Sequence, residues 1–168
     1  MKVTNLSITK ILIIYDSYTG NTEKLAKAVA HGAKQVEGAN VTVKKADRVK
    51  LPDLLAADGI IIGSPAYYGL MTAKLKRLLD STFNIHGKLE GKAGAAFTTA
   101  GGNATGAETT LLSILTAMLI HGMVVQGRSS EKHFGAACVG KPDAKAVKFG
   151  EELGKRTAML AGKLKTEK

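Results

Sequence analysis

The sequence predicts an α/β protein, a doubly wound sheet of five parallel strands with helices on both faces. Three observations carry the prediction. Strand-like and helix-like segments alternate five times along the 168 residues, the order expected of parallel strands joined by crossover helices. Two strand segments, residues 11–14 and 59–63, are continuous apolar runs rather than alternating ones, which marks strands covered on both faces. The segments after the first, third and fourth strands are rich in hydroxyls, glycines or tyrosines, and in such sheets ligands sit beyond the carboxyl ends of the strands.

The elements follow in order. Residues 1–7 read as a short polar lead-in, and the first strand ends near Asp16. Leu25, Ala26, Val29 and Ala33 recur near helical period and predict a helix over about 22–36, with Thr22 or Asn21 as N-cap and Gly38 as the stop. Residues 41–45 alternate and end in two lysines, which suits a second strand at or near a sheet edge. Residues 47–57 form a connection with a helical turn begun by Pro52, and 59–63 is the third strand. Leu75, Leu78, Leu79 and Phe83 define a helix within 70–83. Residues 92–99 form a strand of small residues, 101–106 a glycine-rich loop, and 107–121 a strongly apolar helix stopped by Gly122. Residues 123–126 are the fifth strand, 127–134 a polar loop, 135–139 a candidate strand piece, and 142–164 the final helix before a lysine-rich tail. With no repeat and no linker, the reading is one domain spanning 1–168.

Composition narrows the function classes. The net charge is +10, from 24 basic and 14 acidic residues, but the basic residues are scattered in runs no longer than two and are not interleaved with aromatics. A solvated basic surface that attracts anionic small molecules is expected, rather than a nucleic-acid binder. One cysteine allows no intramolecular disulfide and no cysteine cluster for a metal or iron–sulfur centre, as suits a reducing, cytoplasmic setting. The start lacks a signal-peptide apolar core, and no apolar run approaches the roughly 18 residues of a membrane span, so no membrane partner is expected.

Three loops and a histidine carry the candidate chemistry. In the first loop, Ser17, Thr19 and Thr22 supply hydroxyls, Asn21 an amide, and Gly20 a tight turn, immediately before a helix. A helix N-terminus presents unpaired N–H groups and a positive dipole end, which suits a phosphate. An ordinary well-capped turn is the alternative. In the second loop, Pro65 and Ala66 lead to Tyr67 and Tyr68, and Gly69 frees the chain. Two tyrosines at a loop tip are suited to stack on a flat ligand or, alternatively, to pack on a neighbouring helix or subunit. In the third loop, Thr99, Ala100, Gly101, Gly102 and Asn103 let backbone N–H groups approach a ligand edge. His121 closes the apolar helix, where the dipole alone favours it. His31, His86 and His133 have no such context, and Cys138 reads as a buried small residue.

Ser17, Thr19, Gly20, Asn21 and Thr22 after a first apolar strand resemble the FMN phosphate loop of the flavodoxin family. The whole chain is most similar to the WrbA branch, FMN-dependent NAD(P)H:quinone oxidoreductases, through this loop, the Pro65–Gly69 turn and the segment His121, Gly122, Met123, Val124. The resemblance implies a flavodoxin-like sheet in the order 2-1-3-4-5. It implies FMN as cofactor, held by Ser17, Tyr18, Thr19, Gly20, Asn21 and Thr22 at the phosphate. Pro65, Ala66, Tyr67 and Tyr68 would frame the ring, and Thr99, Ala100, Gly101, Gly102 and Asn103 its pyrimidine edge. It further implies NAD(P)H as co-substrate, a quinone or similar acceptor, a homodimer or homotetramer, and His121 lining the flavin pocket as the catalytic residue. The chain departs from WrbA-like enzymes in two shorter connections, between strands two and three and after Gln126, and in having no Trp. A flavodoxin proper, carrying single electrons without turnover, is the rival. Its relatives are strongly acidic and cover the flavin with aromatics from two loops, whereas this chain is basic and has no aromatic in its third loop.

Overall fold

The computed structural model describes residues 8–166, so the polar lead-in expected at 1–7 lies outside the described residues. The strands are β1 (Thr9–Tyr15), β2 (Ala39–Lys45), β3 (Gly59–Pro65), β4 (Ala93–Ala100), β5 (Val124–Val125) and β6 (Ala136–Val139). The helices are α1 (Asn21–Lys34), α2 (Leu51–Ala56), α3 (Ala73–Ser81), α4 (Ala107–Ile120) and α5 (Ala144–Thr166). The sheet runs β2-β1-β3-β4-β5 with every pairing parallel, as predicted.

Period-two alternation divides the core into two layers. Ile11, Ile13 and Tyr15 of β1 face α1 and α5 in one cluster, while Leu12 and Ile14 join Leu75 of α3 and Ile114 of α4 in the other. Ile13 and Ile14 are wholly buried, and each such side chain contributes roughly 1.5–3 kcal/mol. All eight residues of β4 are buried, and their small size lets helices close over both faces. The α1–α5 contact is the tightest: a Cβ on Gly154 would lie 1.9 Å from the carbonyl oxygen of Val29. Glycine there lets the two helix backbones touch.

Three boundaries differ from expectation. The first helix begins at Asn21, with Gly20 as its N-cap at φ +87° and no side-chain cap. Thr22 does not cap because its hydroxyl is engaged elsewhere, as described below. The third helix is shorter, Ala73–Ser81, capped by Thr72, whose hydroxyl accepts from the N–H of Leu75 at 3.5 Å; a 3₁₀ turn follows at Thr82–Ile85. The fifth strand is divided. Val124 and Val125 pair with Ala93 and Gly94, residues 126–135 leave the sheet, and β6 returns to pair with residues 97–100 of β4. The polar run from Arg128 to Lys132 has no apolar face to offer β4, so the edge is left open in the middle. Among the described residues no helix is long and apolar enough to cross a membrane.

Candidate functional site

Three loops converge at the carboxyl end of β1, β3 and β4. The first leaves β1 at Asp16, whose N–H bonds to the Gly63 carbonyl at 3.1 Å. The Asp16 carboxylate accepts the N–H of Ser17 at 3.0 Å, and the Ser17 hydroxyl accepts the N–H of Gly20 at 3.1 Å. The left-handed Gly20 turns the chain into α1, and the space where its side chain would project is open to 4 Å. The first intrahelical bond is made by the N–H of Lys24 to the Gly20 carbonyl, so the amides of Asn21, Thr22 and Glu23 precede the helical ladder and have no partner within it. These amides and the positive dipole end of α1 stand where a phosphate is expected from the sequence.

The second loop is a tight hairpin. Tyr67 and Leu70 exchange both backbone hydrogen bonds, at 3.1 and 3.0 Å, around Tyr68 and Gly69. Both turn residues have positive φ, 51° and 77°, the pattern of a type I′ turn. Glycine or asparagine is usual at the first of these positions, and a tyrosine there costs of order 1 kcal/mol. Tyr68 is fully exposed and Tyr67 partly so. The Tyr67 ring meets Tyr18 of the first loop edge-to-face, centroids 6.5 Å apart.

The third loop follows β4. The Ala66 N–H donates to the Thr99 carbonyl at 2.8 Å, tying loops two and three together. Thr22 and Thr99, both buried, share a hydrogen bond of 2.8 Å between their hydroxyls, tying loops one and three. One of the two supplies the proton, which leaves the other hydroxyl proton free to donate to a ligand. The Thr105 hydroxyl donates to the Gly102 carbonyl at 2.7 Å and accepts from its N–H at 3.2 Å, holding the exposed turn of Gly101, Gly102, Asn103 and Ala104. No aromatic side chain stands on this loop.

The structure therefore brings together all fifteen residues expected at the cofactor, Ser17 to Thr22, Pro65 to Tyr68 and Thr99 to Asn103, at one end of the sheet. It does not bring His121 to them. His121 follows α4 and precedes β5, beside Gly91, whose N–H bonds to the Gly122 carbonyl at 2.9 Å. Ala93, paired with Val124, begins β4, and Thr99 lies six residues further along, roughly 20 Å away at the rise of an extended strand. The expectation that His121 lines the flavin pocket fails within one chain for this reason. Its Nε2 lies 2.9 Å from the Thr82 hydroxyl, which itself donates to the Leu79 carbonyl at 2.5 Å. Nε2 is therefore the protonated nitrogen, and the buried Nδ1 has no partner among the described residues. Burial, and secondarily the charge of His86, holds the imidazole below its ordinary pKa.

Sequence reasoning missed one residue at the site. Lys74, in the first turn of α3, places its ammonium 3.7 Å from Asp16 and brings a cation to the first loop. Its position two residues after Thr72, the N-cap of a helix that follows the second loop, was the available signal. Cys138 is half-buried, and burial with the nearby Asp143 carboxylate pushes its thiol up to about 11, so it is unreactive at neutral pH.

FMN fits this arrangement. The amide row and the open space beside Gly20 match a phosphate, and exposed tyrosines held on a strained turn facing a loop of small residues match a flat ring. Residues 51–134 match the family described as NADPH-dependent FMN reductase. A flavodoxin of Aquifex aeolicus is 38% identical over 157 residues, covering 89% of this chain and 85% of that protein. An NAD(P)H dehydrogenase (quinone) of Archaeoglobus fulgidus is 36% identical over 191 residues, covering 94% of this chain and all of the other. In fold, a WrbA-like flavodoxin from Agrobacterium tumefaciens superposes with a TM-score of 0.80 at 23% identity, covering 92% of this chain and 98% of its own. This chain belongs to the flavodoxin-like family of FMN proteins.

Proposed function

We propose that this protein is an FMN-dependent NAD(P)H:quinone oxidoreductase. The observation that carries the reading is the asymmetry of the site: Tyr18, Tyr67 and Tyr68 crowd one side, while the third loop offers only small and polar residues. One face of a bound flavin is then left open to a substrate. Full-length relatives named NAD(P)H dehydrogenase (quinone), at 36% and 32% identity, support it.

A bound flavin would supply the redox chemistry, the two-electron exchange between a nicotinamide and an acceptor. The chain's own residues position it. The amides of Asn21, Thr22 and Glu23, with the hydroxyls of Ser17, Thr19 and Thr22, would hold the phosphate. Pro65, Ala66, Tyr67 and Tyr68 would frame the ring on the second loop. Thr99, Ala100, Gly101, Gly102 and Asn103 would present backbone groups to its polar edge. No side chain is needed as acid or base, and the net charge of +10 draws the anionic phosphates of a nicotinamide dinucleotide toward the surface. Leu112, Leu119 and Ile120, exposed on α4, are consistent with a homodimer or homotetramer.

A second reading, an electron carrier without turnover, is favoured by relatives named flavodoxin at 38% and 37% identity. An anaerobic titration separates the two. With the FMN-saturated protein, bleaching of the flavin absorbance by NADH or NADPH, reversed by benzoquinone, is the expected result. No bleaching by either nucleotide, with dithionite reducing the flavin in two one-electron stages, would establish the carrier instead.

A further inference from the structure

The divided fifth strand creates a second cavity that the flavin site does not use. Residues 126–135 arch away from the sheet edge and leave a hollow of about 300 Å³ against α5. Four cationic side chains line it, Arg128, Lys132, Lys155 and Arg156, against the single carboxylate of Glu152. Phe149 and Met159 contribute apolar surface to its wall.

The hollow is held in shape. Arg156 donates to the Gly127 carbonyl at 3.0 Å and clamps the arch to α5. Arg128 reaches the Glu152 carboxylate at 2.5 Å and lies over the Phe149 ring, 5.0 Å from its centroid. Within the arch, Arg128 Nε donates to the Ser130 hydroxyl at 3.0 Å, and the His133 ring lies 2.8 Å from the Arg128 carbonyl. The Lys132 ammonium stands 5.9 Å from the Phe149 centroid, and its backbone takes a left-handed φ of 56°. Glu152 can compensate one of the four positive charges. Neither Lys132 nor Lys155 forms an ion pair with a carboxylate among the described residues. Burial, and after it the charge of Arg128, presses the Arg156 guanidinium below its ordinary pKa, against the opposing pull of Glu152.

From these features we propose that the hollow binds a phosphorylated small molecule of about mononucleotide size, its phosphate on Lys132, Lys155 and the two guanidinium groups and its flat apolar part against Phe149 and Met159. Three uncompensated positive charges call for a multiply charged anion, and guanidinium groups suit phosphate oxygens. A volume of about 300 Å³ walled in part by Phe149, Leu153 and Met159 is wasted on a bare ion and accepts a nucleobase-sized group. The site shares no residue with the three flavin loops, so its occupant is a second ligand.

The test is calorimetric titration of the FMN-saturated protein with AMP, inorganic phosphate and adenosine. The expected result is AMP binding in the micromolar range, with phosphate and adenosine each weaker by about tenfold or more. Lys155→Ala combined with Lys132→Asn, which keeps a residue tolerant of the left-handed backbone, should weaken AMP by about tenfold or more while melting temperature and flavin absorbance stay unchanged. No AMP binding at millimolar concentration, binding unchanged in the double variant, or phosphate binding as tightly as AMP would each overturn the proposal.

Discussion

The two ends of the sheet are built from the same strands and finished in opposite ways. At the amino end the chain meets its charged groups with its own partners, though the buried Nδ1 of His121 stays unpaired among the described residues. Asp58 accepts the Lys10 N–H at 2.8 Å and the Lys165 ammonium at 3.0 Å, and Lys92 donates to the carbonyls of Leu55 and Ala57. At the carboxyl end polar groups are left open: helix amides before the first ladder bond, a hydroxyl pair with a proton to spare, and two non-glycine residues, Tyr68 and Ala104, at positive φ. Open donors and strained turns persist where a ligand completes them, and that difference tells the site from the scaffold better than any single motif.

The largest expected effect ignores the difference. Gly154→Ala drives a methyl into the Val29 carbonyl and pries α5 from α1, so unfolding stability should fall by about 3 kcal/mol in denaturant titration, with FMN present or absent. Thr22→Val acts at the carboxyl end alone. It keeps the volume but strips the bond to Thr99 and leaves that hydroxyl unpaired, so the apoprotein should lose about 1–2 kcal/mol. FMN affinity should fall by about tenfold in a fluorescence-quenching titration. An unchanged affinity would remove Thr22 from the phosphate site.

Tyr68→Asn sharpens the contrast because its two effects have opposite signs. Asparagine tolerates the left-handed turn, so the apoprotein should gain about 0.5–1 kcal/mol, while FMN binds more weakly for want of the ring. Loss of both stability and affinity would show that Tyr68 packs rather than waits for a ligand. The smallest effect lies at the amino end. Because folding lowers the His121 pKa, the unfolded chain takes up its proton first as pH falls. The stability this residue contributes is complete above about pH 6.5 and is lost as pH drops below that toward the folded value. In His121→Gln the acid-side decline in melting temperature should be shallower, and FMN affinity should not change.

Much of this was legible in the sequence, and the parts that were not share a cause. Period and apolar runs reported the strands from Ile11, Ile60 and Ala95, because burial on a sheet is a local pattern. The Gly20 cap was misassigned to Thr22 or Asn21, since the partner that occupies Thr22 lies 77 residues away at Thr99. Lys74 was missed because its contact, Asp16, is also remote in sequence. The division of the fifth strand was half visible in the polar run after Gly127, and the return at 136–139 was anticipated only as a fragment. His121 is the instructive case, standing apart from the three loops of its own chain. A resemblance assigned it to the pocket, although chain order alone puts a residue that precedes a parallel strand at the amino end of the sheet.

The central claim is that the carboxyl end, and not the amino end, receives FMN. Amide hydrogen exchange with and without FMN tests it most directly. Slowed exchange at residues 17–23, 66–68 and 101–103, with residues 119–124 unchanged, is the predicted result. Unchanged exchange at 17–23, or protection centred on His121, would contradict it.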